Sequence, residues 1–139
     1  MKTGYFWKAT HEPEPGVQYV SISRQKQRGA EHIPTYEALL PSWDIIKMAH
    51  EANYSPESFL QYRDLYYQQL DRLDPVRVYN DLKDCIVICF ESPKDLSTGK
   101  KYCHRRMFAG WIEEKLGIVV PEDVREKDKT LIVPAIFRV

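Results

Sequence analysis

The chain has 139 residues, 43% of them hydrophobic, which suits one domain with one continuous core and requires no disulfide framework. Its 20 basic and 20 acidic residues give a formal net charge of zero, so no global field draws it to nucleic acid or an anionic membrane, and any anion site must be local. No apolar run reaches bilayer length, and Tyr5-Phe6-Trp7 follows the start with no basic leader or cleavage site; the expectation is a soluble, unprocessed, cytoplasmic protein without a membrane partner.

Residues 3–9 and 17–23 are rich in aromatic and β-branched types and are separated by His-Glu-Pro-Glu-Pro-Gly, which predicts two strands. Arg24, Lys26 and Arg28 then alternate through a segment with no helical or strand period. This is a basic loop, for which simple solvation outweighs a functional role. Ser42 is a suitable N-cap for a short helix carrying Ile45, Ile46 and Ala49 and ending near Asn53. Ser55-Pro56 opens a longer helix whose apolar face runs Phe59, Tyr62, Tyr66, Leu70 and Leu73, and Asp74-Pro75 repeats the signal for another. The tyrosines of 62–67 could present a base-stacking surface, but their spacing favours packing in an amphipathic helix.

Residues 85–90, Cys-Ile-Val-Ile-Cys-Phe, form an apolar run too short for a typical helix and buried on both faces, as in a central parallel strand. A loop is expected from Lys94 to Lys101 and a helix from Cys103 to Leu116, stopped by Gly117. Residues 118–120 and 131–137 read as two further strands, the last at an edge or bulged because of Pro134. Strands alternating with helices predict a three-layer α/β domain with a largely parallel central sheet, one domain over 1–139.

Ligands of open α/β sheets bind beyond the carboxyl ends of the strands, which here means Cys89, Glu91 and the start of the 103–116 helix. On a helical wheel His104 falls near the centre of the buried face, with Cys103 to one side, Arg105 at the other edge and Arg106 toward solvent. The helix N-terminus with Lys100, Lys101, Arg105 and Arg106 favours a phosphate or carboxylate, which Arg105 is suited to hold by two hydrogen bonds. The same field would make Cys103 a candidate nucleophile, while the odd cysteine count and the apolar setting of Cys85 and Cys89 suggest reduced thiols. Each residue has a plainer reading as well: Cys89 as a small core residue, His104 as a hydrogen-bonded structural histidine, and Arg105 and Arg106 as solvated. A zinc ion held by Cys89, Cys103, His104 and Glu91 is chemically reasonable, although the spacing matches no strong zinc pattern.

The chain resembles the domain-of-unknown-function 488 family of small α/β proteins along most of its length. The likeness rests on Thr3-Gly-Tyr-Phe, Leu40-Pro-Ser-Trp43, Leu73-Asp-Pro75, Ile88-Cys-Phe-Glu91 and Tyr102-Cys-His-Arg105. The resemblance implies a Rossmann-like fold, no established activity, and a shared site at Cys89, Glu91, Cys103, His104 and Arg105 with Ser42 and Trp43 as neighbours. The expected function is binding of a phosphorylated small molecule or nucleotide, enzymatic or not. Glu91, Cys103 and His104 form its chemical centre, Arg105, Cys89, Ser42 and Trp43 its ligand contacts, and no cofactor is specified. The alternatives are a nucleic-acid or protein-partner module using Arg24, Lys26, Arg28 and exposed tyrosines, and a thiol or zinc protein.

Overall fold

The computed structural model describes residues 1–138. Strand β3, Cys85–Cys89, is the axis of a mixed α/β fold, buried at every position. It pairs in parallel on both sides, with β1 (Lys2–Tyr5) from Lys2↔Ile86 to Tyr5↔Cys89, and with β2 (Gln18–Ser21) from Gln18↔Cys85 to Ser21↔Ile88. The sheet order is therefore β1-β3-β2, and the continuous apolar run of β3 is the run that a strand covered on both faces requires.

Successive side chains of β3 enter different cores. Cys85, Val87 and Cys89 join a large cluster with Ile45, Phe59, Tyr66, Phe108 and Trp111, and Ile86 and Ile88 join a smaller one with Phe6, Ala9, Ala30 and Ile33. The large cluster is built by α2 (Trp43–Glu51), α3 (Pro56–Leu70), α4 (Pro75–Leu82) and α6 (His104–Leu116). The caps follow the sequence signals. Ser42 Oγ accepts from Ile45 N–H, Ser55 Oγ from Ser58 N–H and Asp74 Oδ1 from Val76 N–H, and Pro56 and Pro75 each take the first helical turn. Gly117 ends α6 in the left-handed region at φ 68°, donating its N–H to Glu113 O at 2.8 Å.

Four expectations are corrected. The first strand stops at Tyr5 and the chain turns into α1 (Phe6–His11). Helical spacing puts Phe6 and Ala9 together in the small core and lets His11 stack on Trp7 at 4.5 Å, which strand alternation would not allow. The segment after β3 contains α5 (Pro93–Ser97), opened by a capping box between Ser92 and Asp95. Residues 118–120 form no strand: Val119 is exposed, and the chain reaches the sheet only at a single parallel bridge, Thr3↔Glu122. Residues 131–137 form none either. Ile132 is 75% exposed, Val133 and Phe137 anchor the segment in the large core, and Pro134 leads into a 3-10 turn over Ala135–Phe137. Among the described residues no helix is long and apolar enough to cross a membrane.

Candidate functional site

A cleft of about 430 Å³ opens beyond the carboxyl ends of β2 and β3. The chain leaving β2 supplies Ser23, Arg24 and Gln25, α2 supplies Trp43 and His50, the chain leaving β3 supplies Phe90 and Glu91, and the approach to α6 supplies Lys101, Tyr102 and His104. Tyr54 and Tyr62 complete the aromatic side. Tyr54 follows Asn53, and both have positive φ (52° and 50°), a conformation that non-glycine residues rarely adopt and that tends to persist where surroundings over-determine it. Tyr102 packs edge-on against Tyr54, Phe59 and Tyr62 with ring centroids 5.1–5.5 Å apart, and donates to or accepts from Ser58 Oγ at 3.1 Å.

Two cations belong to this cleft. Arg24 lies over the Trp43 ring at 4.6 Å from its centroid and donates from Nε to Pro41 O at 2.6 Å. Trp43 itself is 64% exposed, so a rigid aromatic face stands at the mouth with a guanidinium against it. Lys101, from the approach to α6, is exposed and lines the cleft as well. Ser42, one residue before Trp43, is spent on the α2 cap and donates its N–H to Gln69 Oε1 at 3.0 Å. It orients Trp43 without lining the cleft.

His104 forms part of the cleft floor and faces inward, as the helical wheel predicts. Its Nε2 lies 2.5 Å from Ile22 O, and because a carbonyl only accepts, that nitrogen carries the proton. Burial lowers its pKa to about 4, with the Arg105 charge adding to the shift and the carbonyl bond opposing it; the ring is neutral at pH 7 and Nδ1 keeps a lone pair. Glu91 is displaced the other way, its carboxyl raised by burial more than Arg105 and Lys101 lower it. Both residues line the cleft, one a neutral histidine with a free ring nitrogen and the other a carboxyl whose pKa burial raises, a pairing of titratable groups that marks a candidate site.

Behind this wall Cys89 and Cys103 are joined by a disulfide, so the expectation of reduced thiols holds only for Cys85, which is free and buried. Arg105 is 0% exposed and every one of its nitrogens is engaged internally. Nε and Nη2 donate to Glu122 Oε1 at 3.1 and 2.8 Å, and Nη1 reaches Glu91 O at 2.5 Å and lies 3.2 and 3.3 Å from the sulfurs of Cys89 and Cys103. Arg106, expected toward solvent, is half-buried and grips the same carboxylate at 2.9 and 2.6 Å. Burial raises the Glu122 pKa, but the two guanidiniums outweigh it and hold the carboxyl below its ordinary range. Glu122 is placed by the bridge to β1, in which Thr3 N–H donates to Pro121 O and Asp123 N–H to Thr3 O.

One ligand atom each of Cys89, Cys103 and His104 lies within 4.8 Å of the others. A cation does not suit them as arranged. The sulfurs are spent on each other, and the Arg105 guanidinium already brings positive charge against both. The alternative nucleic-acid surface is also thinned: Lys26 Nζ is bonded to Ile33 O, Arg24 is turned to Trp43, and Tyr62 and Tyr66 are buried, as the packing reading predicts.

No family model matches the chain, and no curated protein or solved structure matches it. The site therefore rests on its own geometry. Of the seven residues singled out in sequence, Glu91, His104 and Trp43 line the cleft, Ser42 supports it, and Cys89, Cys103 and Arg105 form a buried cluster behind it. Tyr54 carries no sequence signal for the site, while Arg24 and Tyr62 stand out in sequence only for a nucleic-acid surface and for helix packing. For Arg24 a signal existed, since it follows the carboxyl end of a strand flanking β3; for Glu122 none did, because only the fold brings it to Arg105.

Proposed function

We propose that the cleft binds a phosphorylated small molecule of nucleotide type, with a planar ring against Trp43 and the anionic group between Arg24 and Lys101. The observation that carries this reading is the pairing of an exposed indole with a guanidinium 4.6 Å from its centroid at the mouth of a cleft beyond the strand ends. Arg24 takes over the anion role that the sequence suggests for Arg105, whose donors are spent on Glu122 and the sulfur cluster. Glu91 as acid and His104 Nδ1 as acceptor give the cleft the groups for proton transfer on a bound ligand, so the reading includes an enzyme. The same reading treats the chain as a three-layer Rossmann-like protein and a relative of the domain-of-unknown-function 488 family, on the strength of Ile88-Cys-Phe-Glu91 and Tyr102-Cys-His-Arg105.

Thermal unfolding with a panel of nucleotides and sugar phosphates tests it. A ligand at about 100 times its Kd contributes about 2.7 kcal/mol and raises Tm by several degrees. Nucleotides are expected to shift Tm more than ribose phosphate or inorganic phosphate, with Arg24→Ala and Trp43→Ala each reducing the shift at least tenfold in apparent Kd. A panel in which no phosphorylated compound moves Tm overturns the proposal.

A further inference from the structure

In the cluster behind the cleft, two guanidiniums, Arg105 and Arg106, are ion-paired to a single carboxylate, Glu122, and Arg105 is completely buried. No other carboxylate among the described residues is ion-paired to Arg105. Glu91, after β3, accepts from Arg105 through its backbone carbonyl, with its Oε2 3.6 Å from Cys89 Sγ and its carboxyl pKa raised by burial. His104, on α6, is neutral, and Tyr5, on β1, offers Arg105 only its ring face at 5.9 Å. Lys101, before α6, adds another positive charge toward Glu91, and buried Tyr62, on α3, has a hydroxyl pushed up by burial. What Arg105 Nη1 does point at is the sulfur pair, 3.2 Å from one atom and 3.3 Å from the other. A disulfide sulfur is a poor acceptor for a charged donor, whereas a thiolate there would receive a charge-assisted hydrogen bond. Cys103 is also the N-cap of the 13-residue helix α6, where the free N–H groups favour an anion.

We propose that Cys89 and Cys103 are a redox-active pair, exchanged by dithiols, whose reduced form carries a thiolate held by Arg105. Both cysteines are buried behind the cleft wall, so exchange requires that wall to open at Glu91 and His104, which line the cleft and are close to the cysteines in sequence. One thiol of the dithiol loses its proton to solvent and attacks Cys89 Sγ. The Cys89–Cys103 bond breaks, a mixed disulfide forms, and Cys103 leaves as the thiolate. The second thiol of the reductant attacks its own sulfur in the mixed disulfide, closing a cyclic disulfide and releasing Cys89, which takes up that second thiol's proton. Two electrons pass from the dithiol to the pair, which ends as one thiol and one thiolate.

The full chain, folded and reduced with dithiothreitol, is titrated by thiolate absorbance and its mass is recorded before and after reduction. The expected result is a gain of two hydrogens on the folded protein or, where the Cys103 proton is already lost in solution, the same two-hydrogen mass once acidified. One thiolate should ionise below about pH 7, well under the ordinary thiol value of about 8.5, and this step should vanish in Cys103→Ser. Arg106→Gln leaves Glu122 to neutralise Arg105 alone and should raise the midpoint by about one pH unit, while Glu122→Gln leaves the two guanidiniums without their shared carboxylate and should lower it. A merely structural role would not move two half-buried positions in opposite directions. The proposal is overturned if the folded chain is not reduced, if every thiol titrates at or above about pH 8.5, or if both variants move the midpoint the same way. Cleft binding does not enter these readouts, so the ligand reading stands or falls separately.

Discussion

His104 makes the stability of this protein depend on mild acid. Its folded pKa of about 4 lies below the ordinary 6.5, so between these values the unfolded chain binds more protons than the native one and stability rises with pH. The contribution is complete above about pH 6.5 and lost as pH falls through 4, a span worth about 3 kcal/mol. Urea unfolding at pH 7 and pH 4.5 should show this loss, and His104→Gln should remove most of the slope; an unchanged slope in the variant would assign the acid sensitivity to other groups. Glu91 acts with the opposite sign. Burial raises its folded pKa, so ionising it as pH rises costs stability, and Glu91→Gln should raise Tm at pH 7 while leaving the fold intact. A variant less stable than the parent at that pH would show that the carboxylate is supported in the native state.

At the scale of elements, ends matter more than interiors for positioning the site. α6 presents Cys103, His104 and Arg105 because its start is set by the chain leaving α5 and its stop by Gly117. Nothing lies within 4 Å of a Cβ added at Gly117, so replacing it tests backbone conformation alone. Gly117→Ala should cost about 1 kcal/mol through the left-handed φ, and Gly117→Asn less, both read from urea midpoints. Equal midpoints for the parent and Gly117→Ala would mean that the last turn frays without cost. The caps at Ser42, Ser55 and Asp74 and the stop at Gly117 were legible in sequence because each is a local exchange with backbone groups two to four residues away. The capping box of α5 was equally local: Ser92 followed three residues later by Asp95 is its signature. Residues 118–120 and 131–137 resemble strands in sequence because apolar, β-branched composition reports burial, and the structure buries the second segment only at anchors such as Val133 and Phe137.

Across the whole molecule, β3 belongs to both hydrophobic clusters, so neither can come apart without it. Ile88 is completely buried in the smaller cluster, and Trp111 in the larger. Ile88→Ala is expected to cost about 2–5 kcal/mol and to shift the urea midpoints of far-ultraviolet dichroism and of tryptophan emission together. A tryptophan transition that stays where it was while the dichroism moves would show that the two cores unfold separately. The formal charge of zero also belongs to this scale. It leaves electrostatics to short-range arrangements such as Arg24 on Trp43 and the Arg105–Glu122–Arg106 cluster.

The sequence by itself determined the central strand, the helix caps and the inward face of His104, because each depends on periodicity or on groups within a few residues. It also marked Glu91, Cys103 and Arg105 as belonging to one region, since they flank one strand end and one helix start. The tertiary structure alone decided their roles. It brought Glu122 from beyond α6 to Arg105 through a single bridge on β1, joined Cys89 to Cys103, and set Arg24 against Trp43 across the cleft mouth. These pairings depend on which charges and sulfurs end up within a few ångströms after the chain has closed, and no local pattern encodes that distance.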